Sequence, residues 1–184
     1  MPLLSHQKRA KTFFDYLSRF YDHINPRIYT KEMKELLLNE IEGKNILDVG
    51  VGTGYTTKEI PNSIGIDLSY EMIKKGKKNY TGSLIVGDAL KPPFKPKSFD
   101  TIISAGSFYY FPSPLEALRK FHELLRDRGV FLCIVPNTRI LRPFIHTFKE
   151  KDLEDLYKKS SFRQEKLLKV CFGGIAYFSK ARKM

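Results

Sequence analysis

A chain of 184 residues has the length of one domain with a full core. Hydrophobic residues make up 42% and charged residues 28%. That balance is ordinary for a globular protein and excludes disordered, collagenous and membrane-spanning classes. No apolar run approaches spanning length, and residues 1–10 lack the apolar core of a secretory signal, so a cytoplasmic location is expected. The two cysteines, Cys133 and Cys171, sit in strand-like apolar surroundings and read as buried thiols. Neither a disulfide nor a metal site is expected.

The formal net charge is +12, and residues 141–184, with 11 basic and 5 acidic side chains, hold half of it. Such a surplus suits RNA, an anionic membrane surface or an acidic substrate. It also suits the Lys/Glu-rich surface of a heat-adapted protein. The last reading is preferred: only Gln7 and Gln164 are glutamines, and tryptophan is absent.

Residues 5–24 have helical spacing, with Phe13, Phe14, Leu17, Phe20, Tyr21 and Ile24 on one aromatic face. Asn25-Pro26 ends that helix. A second runs from Pro26 or Thr30 to Glu42, burying Met33, Leu36, Leu37 and Ile41, and Gly43 stops it. Ile46 to Val49 is a short buried strand that breaks into Gly50, Gly52 and Gly54. Thr56 to Ile60 is expected as a short helix, and Ser63 to Leu68 as a second strand. Ser69 caps the next helix, whose polar end carries Lys74, Lys75, Lys77 and Lys78.

Ser83 to Val86 and Phe99 to Ser104 are the third and fourth strands. A loop of small and aromatic residues, Ala105 to Pro112, follows. A helix from Ser113-Pro114 to about Arg126 is broken by Gly129, and Val130 to Val135 is the fifth strand. After a looser stretch containing Arg139, Arg142 and His146, a helix covers Lys149 to Ser160. Arg163 to Val170 and Phe172 to Ser179 form a final hairpin. Strands alternating with helices make a mostly parallel sheet covered on both faces, and the last two strands are too close in sequence for a crossover.

Asp48, Asp67 and Asp88 each close a strand at its carboxyl end, where open α/β sheets bind ligands. Three such acids beside a triple-glycine loop point to a nucleotide-like ligand, and an acid after the second strand suits two ribose hydroxyls. A dinucleotide loop needs Gly-x-Gly-x-x-Gly, but the third position holds Tyr55 or Thr57, depending on which glycine starts the count. The phosphate-binding Gly-Lys-Ser/Thr is absent. The pattern present is Asp-x-Gly-x-Gly-x-Gly, and an anion before the loop suits an ammonium or sulfonium group.

Ile46 to Gly54 resembles the first motif of the class I S-adenosylmethionine-dependent methyltransferases. Ile64 to Ser69 with Met72 resembles the second, Gly87-Asp88-Ala89 the third, and Phe99 to Ser104 the fourth. The resemblance runs from Ile46 to Lys180. It implies a Rossmann-like, doubly wound seven-stranded α/β sheet in the order 3-2-1-4-5-7-6, with strand seven antiparallel. It implies one domain over 1–184, with 1–42 as a helical lid and substrate segment.

S-adenosylmethionine would be the cofactor and S-adenosylhomocysteine the product. By the same resemblance, Gly50, Gly52 and Gly54 would lie along its methionine and ribose portions, and Asp48 would face its amino-acid end. Asp67 would hold the ribose hydroxyls with Leu68 beside the adenine. Asp88 and the Ala89 N–H would meet the adenine edge, with Met72 packed behind it. Ser104 and Ala105 would line the methyl-transfer face.

The catalytic group is unknown. Tyr21, His23 and Tyr109 are candidates, with Tyr21 as a lid residue, while His122 is expected at the surface. Ser104-Ala105-Gly106-Ser107 is not the Asn/Asp-Pro-Pro-aromatic motif of base amino-methylases, and no cysteine nucleophile lies near, so nucleic acid is not the expected partner. The layout resembles the branch that methylates quinones and phospholipids, which implies a small, lipophilic acceptor. The basic-flanked first helix could rest on a membrane surface. Two alternatives stand beside this reading: an RNA methyltransferase, and a cofactor-binding partner protein without catalysis.

Overall fold

Alternation along each strand decides how the sheet is covered. Leu47, Ile102, Phe131, Cys133 and Val135 belong to one buried cluster, and Ile46, Ile103, Val130, Leu132 and Ile134 to another. Successive residues therefore face opposite sides, and both sides are dry. The computed structural model describes residues 12, 15, 30–137, 145–171 and 175–184, without the side chains of Cys171 and Ile175. Thr12 and Asp15 are helical. The rest of the expected first helix, with Tyr21 and His23, lies outside the described residues.

Helix α1 is Lys31–Asn39, and Thr30 caps it by accepting from the Met33 N–H. Its Met33 and Leu37 are buried against the second cluster. Strands β1 (Ile46–Val49), β2 (Ile64–Asp67), β3 (Ser83–Val86) and β4 (Phe99–Ala105) follow, with α2 (Tyr70–Gly76) between β2 and β3. A single 3-10 turn, Phe108–Tyr110, leads to α3 (Pro114–Leu124) and β5 (Leu125–Pro136). Helix α4 (Glu150–Lys159) precedes β6 (Phe162–Cys171) and β7 (Ile175–Lys183). The sheet order is β3-β2-β1-β4-β5-β7-β6. Strands β1 to β5 pair in parallel, and β7 runs antiparallel between β5 and β6. This is the expected architecture.

Two local expectations fail for physical reasons. Residues 55–60 form turns rather than a helix. The β-branched Thr56 and Thr57 lose rotamer freedom in a helix, the Thr57 hydroxyl is drawn to Asp48 at 2.5 Å, and Pro61 follows at once. Strand β5 begins at Leu125, directly after α3, and not beyond Gly129. Lys183, on β7, donates to the His122 and Leu125 carbonyls at 2.7 and 2.8 Å, and so satisfies the end of α3 without a separate cap. The pairing of β4 with β5 shifts register between Phe99 and Thr101, which absorbs residues 126–129.

At the amino ends of the strands Asp100 is a hub. It accepts from the Lys44 and Asn45 N–H groups at 3.0 and 2.9 Å and from Arg126 at 2.8 Å. These bonds outweigh desolvation, the largest single influence, and hold its carboxyl down at about 2. Arg182 bridges Glu42 and Glu165, while Glu40 pairs with Lys166 and Lys180. These contacts tie the α1–β1 connection to the final hairpin, leaving the carboxyl ends of β1 to β4 for the site.

Candidate functional site

The turn after β1 crosses the end of β2, with the Gly50 N–H donating to the Ile66 carbonyl at 2.8 Å. Gly50 and Gly54 have φ of +68° and +80°, in the left-handed region that favours glycine. Space is a second constraint at both. A Cβ on Gly50 would stand 2.3 Å from the Ser107 Cβ, and one on Gly54 2.4 Å from the Tyr80 ring. The protein itself presses on the loop from β4 on one side and from the α2–β3 connection on the other.

Asp67 closes β2 and turns across this loop. Its Oδ2 accepts from the Gly52 N–H at 2.9 Å and its Oδ1 from the Ser69 N–H at 2.8 Å. A carboxylate has about four acceptor positions, and with the Leu68 N–H also favouring its ionised form, capacity for a further donor remains. Burial pushes the Asp67 carboxyl up, against these backbone bonds, and the charge of Asp15 adds to the rise. Asp15 itself accepts from the Ser69 hydroxyl at 2.5 Å, which brings residue 15 to the cap of α2.

Asp48 is deeper, only 1% exposed. Burial pushes its carboxyl up to about 7, with the Thr57 hydrogen bond opposing and the charge of Asp67 assisting. Behind Thr57 stands the Tyr80 hydroxyl, 3.5 Å away, which meets the Ser63 hydroxyl at 2.9 Å. The Ser63 hydroxyl ends the chain on the Ile60 carbonyl at 2.8 Å. Burial, then the charge of Asp48, pushes the Tyr80 phenol up to about 12.

The other expected residues lie as follows. Asp88 accepts from the Leu90 N–H at 2.9 Å and, like Leu68, is half-buried, while Ala89 is buried. Met72 is buried at the start of α2. Ser104 is fully buried; its hydroxyl meets that of Ser107 at 2.6 Å, and Ser107 donates on to the Val49 carbonyl at 2.5 Å. Ala105, at the end of β4, is half-buried. Tyr109 is buried with its ring 4.5 Å from that of Tyr110, and its carbonyl accepts from the His146 N–H at 3.0 Å. Phe108 stacks on Phe148 at 5.6 Å, so residues 145–148 close against this turn.

His122 is half-buried rather than at the surface, edge-on to Phe162 with ring centroids 5.5 Å apart. Burial, with the nearby charge of Lys183, lowers its imidazole. Cys133 is buried in the core, its thiol pushed up to about 12 by desolvation. Among the described residues no group of His, Cys, Asp or Glu could hold a metal, and no helix is long and apolar enough to cross a membrane.

Sequence reasoning missed Thr57, Tyr80 and Ser63, and it read Ser107 only as the start of the loop beside the transferring methyl. Thr57 carried a faint signal as a hydroxyl nine residues after Asp48, where the chain turns back past the strand end. Tyr80 carried none beyond being an aromatic residue before a strand.

Residues 47–133, which carry the glycine turn and the acids at or after three successive strand ends, match the family described as methyltransferase domain. By that match and by its relatives the chain is similar to the class I S-adenosylmethionine-dependent methyltransferases, whose cofactor is S-adenosylmethionine.

Among its relatives is the 2-methyl-6-phytyl-1,4-hydroquinone methyltransferase 1 of Oryza sativa subsp. japonica. It is 30% identical over 189 residues, with 91% of this chain and 57% of the relative covered. The demethylmenaquinone methyltransferase of Thermotoga maritima is 29% identical over 159 residues, covering 77% of this chain and 69% of the relative. A Thermotoga maritima structure described as a possible histamine N-methyltransferase overlays with a TM-score of 0.80 at 18% identity, covering 95% and 99% of the two chains. That likeness bears on the fold alone. The chain spans little more than half the length of the rice hydroquinone methyltransferase.

Proposed function

We propose that this protein transfers a methyl group from S-adenosylmethionine to a small, lipophilic acceptor of the hydroquinone type. The observation that carries the reading is that Asp48, Asp67 and Asp88 stand at or just past the carboxyl ends of the adjacent strands β1, β2 and β3, with Asp67 bonded to the glycine turn. The names of the rice and Thermotoga maritima relatives support the acceptor class.

The residues fit the cofactor. Asp67 keeps acceptor capacity beyond its backbone bonds, which suits the ribose hydroxyls, with Leu68 beside the base. Asp88 suits the adenine amino group, and the Ala89 N–H its ring nitrogen. The carboxyl of Asp48, set behind the turn, suits the cationic methionine end, with Gly50, Gly52 and Gly54 along it. S-adenosylmethionine brings a methyl group already activated on sulfonium, so the protein's part is alignment and exclusion of water. Ala105, Tyr109 and the turn to Phe111 form the acceptor side, and the buried Ser104 supports it through Ser107.

We take residues 1–184 as one domain, with 1–42 as a lid and substrate segment and Tyr21, His23 and Tyr109 as the catalytic candidates. The bond between Ser69 and Asp15 supports that lid. A cytoplasmic location and a heat-adapted surface belong to the same reading, and the ion-pair lattice around Arg182 and Glu40 supports the second. That lattice also engages Lys166, Lys180 and Arg182, part of the basic surplus on which an RNA acceptor would rest. Peripheral membrane contact through residues 5–24 is read by sedimentation with anionic vesicles.

Calorimetry with S-adenosylmethionine is the first test, and absence of binding refutes the reading. Incubation with prenylated hydroquinones, other small acceptors and RNA, scored by S-adenosylhomocysteine formed, is the second. Turnover on the hydroquinones is expected; turnover on RNA alone overturns the acceptor class.

A further inference from the structure

Asp48 has an arrangement that cofactor contact alone does not require. Its carboxyl is sealed under the glycine turn and meets the Thr57 hydroxyl at 2.5 Å. That hydroxyl is backed by Tyr80 and Ser63, whose chain ends on the Ile60 carbonyl. Tyr80 is also the ring against which Gly54 is seated, so the same side chain sets the turn and the hydrogen-bond chain behind the acid.

A buried carboxyl without a cation beside it keeps its proton, and a cation within a few ångströms expels it. Among the described residues the charged and titratable groups around Asp48 can be named. Asp67 stands on the β2 side and disfavours a second negative charge. Tyr80 stands on the α2–β3 side and is itself held neutral. Toward β4 the register partner is Ile103, which is uncharged. Among these groups no cation compensates Asp48. Asp15 acts at one remove, through Asp67.

We propose that Asp48 is protonated in the cofactor-free protein and gives up that proton to solvent as the cationic methionine end of S-adenosylmethionine arrives, with Thr57, Tyr80 and Ser63 as the positioning residues that hold it for the exchange. The inference rests on the cofactor reading above and adds its proton balance: one O–H bond at Asp48 breaks, the proton passes to buffer, and the carboxylate stays paired with the bound cation. Thr57 steers the exchange, because its hydroxyl favours the ionised carboxyl. Tyr80 and Ser63 keep Thr57 turned toward Asp48.

The test is calorimetric and needs no turnover. S-adenosylmethionine is titrated into the full chain at pH 6, 7 and 8, each in buffers of differing ionisation enthalpy, so that the heat reports protons released. With the free carboxyl raised to about 7 and the paired one lowered by the cation, release is expected to be large at pH 6, smaller at pH 7 and nearly absent at pH 8. The apparent affinity then rises roughly tenfold from pH 6 to pH 8.

Asp48→Asn is expected to bind more weakly and to release no proton. Thr57→Val shifts the half-release point to higher pH, and Tyr80→Phe shifts it the same way by less. A residue of merely structural importance would lower stability and leave that point where it was. Binding of S-adenosylmethionine without proton release at pH 6 to 7 overturns the inference and leaves the cofactor reading standing. Release that persists in Asp48→Asn assigns the proton to Asp67 and also overturns it. No binding at any pH removes both.

Discussion

Gly54→Ala tests how the glycine turn is held. The backbone there has φ +80°, so any side chain costs about 1–2 kcal/mol. The new methyl would stand 2.4 Å and 2.9 Å from two carbons of the Tyr80 ring. Forcing a methyl into a filled site costs about 1–3 kcal/mol more. The expected loss is about 2–5 kcal/mol, a large share of the stability of a single domain. In a Tyr80→Ala background the ring is gone and only the backbone cost remains. The two substitutions should therefore couple favourably by about 1–3 kcal/mol in a double-mutant cycle. Urea unfolding of the four proteins measures this, with the slope checked for constancy. A coupling below about 0.5 kcal/mol would mean that Tyr80 yields freely, and the argument that it seats the turn would be wrong.

Two further substitutions probe the acids. Asp67→Ala should weaken S-adenosylmethionine by about 1–3 kcal/mol, the usual worth of charged hydrogen bonds; an unchanged affinity in calorimetry would remove Asp67 from the site. Asp48→Asn should change how stability depends on pH. The folded carboxyl is raised from 3.8 to about 7, so the folded state holds the proton more tightly than the unfolded state. Its contribution is fully present below about pH 4, falls as pH rises, and is lost above about 7. Three units correspond to about 4 kcal/mol as an upper bound. Unfolding of the asparagine variant should lack that downward slope, and parallel profiles for the two proteins would refute the assignment.

The fold was legible because its signals are local. Apolar runs that end in an acid placed β1 and β2 within two residues, and Ser69 and Ser113 marked the helix starts they cap. What was not legible depends on chain segments far apart in sequence. Lys183 satisfies the end of α3 from 58 and 61 residues away, so β5 starts at Leu125 although Gly129 is the visible breaker. His122 looks like a polar position on a helix, yet Phe162 arrives from β6 to cover it. In the site, the acids and glycines could be read from spacing. Ser107 and Tyr80 could not, because only folding brings them against Gly50 and Gly54.

With the cofactor placed along this turn as proposed, its glycines answer two demands at once. A ligand lying on the backbone requires small residues there, and Ser107 and Tyr80 pressing from behind require them equally. The first demand alone would leave the turn free to shift, since glycine has the most conformational freedom to lose. The second removes that freedom. Ser107 is tied to the Val49 carbonyl, Tyr80 to Ser63, and Gly52 to Asp67. A cofactor entering such a turn meets a surface already ordered, so less of its binding energy is spent on ordering the loop. The same packing seals Asp48 from water, and that burial is what raises its carboxyl. Removing the ring, as in Tyr80→Ala, should thus weaken binding and bring the carboxyl of Asp48 back toward its ordinary value together, whereas Tyr80→Phe keeps the seal and removes only the hydroxyl.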